Sequence, residues 1–128
     1  MLIAASVFAA LAALVHVYIF VLESLRWTAP STRKTFGTSE ADALATKDLA
    51  FNQGFYNLFL GVVAVAGIIA LAAGAKSVGA ALILAGAGSM VLAGLVLLIS
   101  SPSKARAALV QLAFPAIAVV LTILGLAL

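Results

Sequence analysis

Cysteine is absent from this chain, which excludes disulfide scaffolds, thiolate zinc sites, iron–sulfur clusters and cysteine nucleophiles. Charge is scarce: seven basic and four acidic residues make up 9% of 128 positions, against roughly 25% in ordinary soluble domains. There is one histidine. Serine triads, phosphate-binding loops and dinucleotide fingerprints are also missing; Gly86-Ala87-Gly88 sits inside an apolar helical run and follows no strand. What is abundant is apolar surface, at 66% of residues and a mean hydropathy of +1.30. Too little polar surface remains to cover a water-soluble sphere, so the chain reads as an integral membrane protein. Its length fits one domain, 1–128.

The net charge of +3 does not point to nucleic acid. Arg26, Arg33, Lys34, Lys47, Lys76, Lys104 and Arg106 punctuate long hydrophobic runs instead of forming a basic face interleaved with stacking aromatics. A bilayer core about 30 Å thick needs about 20 apolar residues to cross, and four segments satisfy this: residues 2–26, 49–73, 78–99 and 106–128. The first lacks a basic leader region and carries His16 and Glu23, so it reads as a retained span and not a cleaved signal. The expected fold is all-α, an integral membrane four-helix up-down bundle, because short links after the second and third spans force antiparallel neighbours.

Six of the seven basic residues lie in or directly beside the first and third connections. The positive-inside rule therefore places connections 27–48 and 100–105 in the cytoplasm and both termini outside, in the plasma membrane. Within the long first connection, Pro30 and Gly37 read as breaks, and Ser39 with Asp42 as a capping box opening a short interfacial helix from Glu40 to about Lys47. Ser101 or Ser103 is expected to cap the fourth span. Trp27 fits the aromatic belt at the membrane edge. Small residues recur every fourth position at Ala81, Ala85, Ser89 and Ala93; they suit close packing inside the bundle or, as the alternative, a dimer seam.

Polar groups in hydrocarbon are costly and tend to face the bundle interior. Here they are His16, Tyr18 and Glu23 in the first span, Asn52, Gln53, Tyr56 and Asn57 in the second, and Gln111 in the fourth. At 1.5 Å per residue, Glu23 lies roughly 4–5 Å and His16 roughly 15 Å from the cytoplasmic edge, with the others between. Seven residues apart, His16 and Glu23 share a helix face, with Trp27 extending the stripe. The expected layers are Glu23 beside Asn52 and Gln53, and His16 beside Tyr56 and Asn57. Pro115 removes the donor that the Gln111 carbonyl would otherwise meet, which brings helix four to the same depth. His16 and Glu23 stand too far apart along the helix to share one ion, so no metal and no cofactor is expected.

Each feature also has a plainer reading. Asn and Gln can be interhelical glue worth on the order of 1 kcal/mol each, and Glu23 can snorkel to Arg26 or Lys47. Their concentration on one side favours a pocket.

The stretch His16-Val-Tyr-Ile-Phe-Val-Leu-Glu23, then Trp27-Thr28-Ala-Pro30 and Phe36-Gly37, then Ala50-Phe-Asn52-Gln53-Gly54-Phe-Tyr56-Asn57 resembles the small bacterial membrane proteins grouped as domain of unknown function 1304. The resemblance implies a compact four-helix membrane protein and no assigned activity. The residues themselves point to a cytoplasmic-side pocket that binds or transports a small amphipathic or protonatable molecule. Its ligand-binding set is His16, Tyr18, Glu23, Trp27, Asn52, Gln53, Tyr56, Asn57 and Gln111. Transport through so thin a wall would call for a homo-oligomer. The rival readings are a membrane enzyme with His16 and Glu23 as acid and base, and a structural or accessory subunit; the expected partners are the lipid bilayer and the ligand.

Overall fold

A computed structural model describes residues 1–128. Runs of Ala, Leu, Val, Ile and Gly leave a membrane-embedded backbone one economical way to satisfy its own polar groups, which is the α-helix. Four long apolar helices result: α1 (Leu2–Phe20), prolonged by a π-helical turn over Val21–Leu25; α4 (Lys47–Ala72); α5 (Lys76–Ser100); and α6 (Ala105–Ala127). Two shorter helices, α2 (Pro30–Phe36) and α3 (Glu40–Ala45), fill the first connection. Each long helix is long and apolar enough to cross a bilayer.

The long helices form a four-helix bundle. α1 and α5 stand diagonally opposite, and each packs on both α4 and α6. α4 turns into α5 through Gly74, whose φ of +85° suits a residue without Cβ. The interior is built from small residues: Ala9, Ile83, Ala87 and Ala118 form one buried cluster, and Ala12, Ala64 and Met90 a second. Gly67 shows how close the backbones come, since a Cβ there would stand 2.8 Å from the Gly79 carbonyl oxygen and 2.8 Å from the Ile83 nitrogen. In lipid such packing contacts replace the hydrophobic effect as the force between helices. Large apolar side chains point outward instead, among them Ile3, Leu14, Phe59, Ile69, Leu92 and Ile99.

Several local expectations are corrected. Ala81, Ala85, Ser89 and Ala93 all lie on the exposed face of α5, while Gly79, Ile83, Gly86 and Met90 face inward. The inward row wins because its glycines admit a closer approach than any alanine. Pro30 does not merely end a helix; it opens α2 from its first turn, where its missing N–H costs nothing. The connection thus holds two short helices where one is expected. Gly37, with φ +64°, ends α2, and Ser39 caps α3 by accepting from the Asp42 amide at 3.1 Å and donating to its carboxylate at 2.7 Å. Neither Ser101 nor Ser103 caps α6, because a single 3-10 turn, Pro102–Lys104, intervenes. Pro115 is buried within an α6 that runs unbroken past it.

Candidate functional site

The π-helical turn decides the geometry of the polar end. In an unbroken α-helix Glu23 would stand on the face of His16; the wider turn rotates the chain less per residue. Leu22 is buried, and Glu23 lies against α4, where Asn57 meets it. Three α4 residues hold the turn there. Asn57 donates from Nδ2 to Glu23 Oε2 at 2.9 Å and to the Gln53 carbonyl at 3.1 Å. Ser24 donates its hydroxyl to the Phe51 carbonyl at 2.7 Å. Between them Gly54 leaves the space the turn occupies: a Cβ there would meet the Ser24 hydroxyl, lie 2.9 Å from the Ser24 amide nitrogen and 3.1 Å from Glu23 Cβ.

Two clefts open around this contact. One, of about 170 Å³, lies between the π-helical turn and the start of α4, with Glu23, Ser24, Trp27, Lys47, Asp48 and Phe51 in its wall. The other, of about 560 Å³, runs under the first connection and includes Glu23, Trp27, Asp42, Thr46, Gln53 and Lys104. Glu23 and Trp27 belong to both. The Trp27 indole is fixed by its N–H to Thr46 Oγ1 at 3.1 Å and by packing on Phe36, ring centroids 5.1 Å apart. Phe51, Phe55 and Phe59 form a ladder along α4, with Phe20 edge-on to Phe55 at 5.0 Å.

Glu23 Oε2 is taken by Asn57, whereas Oε1 has no hydrogen-bond partner within the protein. The Glu23 carboxylate makes no ion pair with Arg26 or Lys47; the sole ion pair within 4.0 Å is Arg33–Glu40, at 3.7 Å. With Glu40 well exposed, that pair contributes little.

The other residues singled out in the sequence divide sharply. Glu23, Trp27, Gln53 and Asn57 come together. His16 is buried, at 2% exposure, but lines neither cleft; its Nδ1 bonds the Ala12 carbonyl at 2.9 Å. A carbonyl only accepts, so Nδ1 carries the proton and Nε2 is left as the acceptor. The pairing of His16 with Tyr56 and Asn57 is not made. Tyr18 and Tyr56 point outward, 59% and 66% exposed. Asn52 is exposed as well and donates to the Asp48 carbonyl at 3.2 Å in its own helix. Gln111 is half-buried on α6 and apart from both clefts. The outward placements follow from α4 itself: Ala50, Gly54, Asn57 and Gly61 form its buried stripe, which leaves Asn52 and Tyr56 on the other side.

Residues not singled out for the site are Ser24, Asp42, Thr46, Lys47, Asp48, Phe51 and Gly54. Gly54 carries a readable signal, a lone glycine between Phe51 and Phe55 in a bulky stretch. The π-helical turn has no such signal in the sequence.

Four apolar helices with a carboxylate-bearing polar end define a small multi-pass helical membrane protein. More particularly, the chain belongs to the family described as Protein of unknown function (DUF1304), whose model matches residues 10–123, a range that takes in every residue of both clefts. No curated protein and no solved structure matches it.

Proposed function

We propose that this protein binds a small amphipathic or protonatable molecule at the Arg/Lys-rich end of the bundle, the binding step that transport of such a molecule requires. The observation that carries this reading is Glu23 itself, with one carboxylate oxygen held by Asn57 and the other unengaged in the common wall of two clefts. Orientation of a carboxylate by a neighbouring amide is what a binding site needs, since a fixed acceptor loses less entropy on engaging a ligand. In this reading the positive-inside bias puts 27–48 and 100–105 in the cytoplasm of a plasma-membrane protein with both termini outside. An acid–base enzyme built on His16 and Glu23 has less support, because His16 lines neither cleft.

Mass spectrometry of small molecules retained by the purified protein tests the proposal. Wild type retains a molecule that Glu23→Gln releases, while His16→Gln keeps it. Equal retention by wild type and Glu23→Gln refutes the site, and a lowered melting temperature without change in retention supports a purely structural role for the Glu23–Asn57 bond.

A further inference from the structure

The class of ligand follows from a charge census of the two clefts, an inference that rests on the binding site proposed above. The chain carries a net charge of +3 with only four carboxylate side chains. Three of those four, Glu23, Asp42 and Asp48, line the clefts, against two of the seven basic residues, Lys47 and Lys104. In each cleft one aspartate stands against one lysine, Asp48 with Lys47 and Asp42 with Lys104, which leaves Glu23 as the group that distinguishes the site. None of the three carboxylates has a basic nitrogen within 4.0 Å.

The walls add a second, independent preference. Trp27 borders both clefts and Phe51 the smaller one; aromatic faces attract organic cations, Trp most strongly. Thr46 and Phe36 hold the indole in place. The larger cleft, about 560 Å³, is broad and open to its surroundings. Leu25, Leu49 and Phe51 supply apolar surface beside the carboxylates.

We infer that the clefts bind an organic monocation, an alkylammonium whose charged head meets Glu23 Oε1 beside the Trp27 ring while its apolar arm lies along Leu49 or Phe51.

Trp27 is the sole tryptophan of the chain, so its fluorescence reports on the site directly. The full-length protein in a nonionic detergent is titrated with three probes sharing one apolar arm: hexyltrimethylammonium, hexanol and hexanoate. Saturable change is expected with the cation alone, weakened about tenfold by Glu23→Gln and by a smaller factor in Asp42→Asn and Asp48→Asn. Glu23→Asp, which keeps the charge, retains most of the response and separates lost charge from lost folding. Equal response to hexanol, preference for hexanoate, or no saturable response to any probe overturns the inference. A retained molecule that Glu23→Gln releases, but that proves neutral or anionic, overturns the cation assignment while leaving the binding site intact.

Discussion

The two ends of this bundle are packed by opposite means. Toward the α4–α5 turn, Gly67 and Gly79 bring backbones so close that neither could carry a methyl group without displacing main-chain atoms. At the Arg/Lys-rich end Phe20 of α1 meets Phe55 of α4 and Trp27 meets Phe36, Gly54 closes on the Ser24 backbone, and the helix itself widens into a π-helical turn. Bulky rings and an irregular turn cannot interdigitate as glycines do, and clefts remain between them. The same set of helices makes a sealed seam where glycines face one another in series, and a site where a single glycine contact is flanked by rings and an irregular turn.

The largest effect is expected at the seam. Gly67→Leu sets a side chain against the Gly79 carbonyl and the Ile83 backbone, and should cost about 3 kcal/mol, read as loss of the thermal transition or of a monodisperse species in detergent. Gly54→Ala tests the other end: its Cβ meets the Ser24 backbone, so the π-helical turn must lift from α4, at about 2 kcal/mol. Unlike the seam variant, it should also abolish the Trp27 titration. Asn57→Leu removes the donor from Glu23 and should cost about 1.5 kcal/mol, near the upper range for interhelical bonds in membranes, with weakened ligand response. Thr46→Val frees the indole for about 1 kcal/mol or less, visible as broadened Trp27 emission.

The smallest effect is expected on the outer face of α5. Ala85→Leu should change the melting temperature by an amount equivalent to less than about 0.5 kcal/mol. A change in native mass on this substitution would show instead that a second copy occupies that face, which would make the outward row of small residues a seam of its own.

Much of the architecture is legible in the chain because the bilayer asks little of a span beyond length and apolarity. The four spans fall within two residues of their expected boundaries apart from the π-helical end of α1, and Ser39 caps α3 as its spacing with Asp42 implies. The site was less legible. Glu23, Trp27, Gln53 and Asn57 are assembled as a group, but Tyr18, Asn52 and Tyr56 lie outside, and His16 and Gln111 stand apart from the clefts. Depth along a helix can be counted from a sequence at 1.5 Å per residue, whereas direction around it cannot once the winding changes.

The chain alone therefore determined that this protein has four helices long and apolar enough to cross a membrane, and which end of the bundle gathers its polar groups, because both depend on composition along a single axis. Tertiary structure decided which of those groups meet. One wide turn at Val21–Leu25 and one missing side chain at Gly54 aim Glu23 at Asn57, and rotation of one helix against another is a property of the packed pair that neither strand of sequence carries by itself.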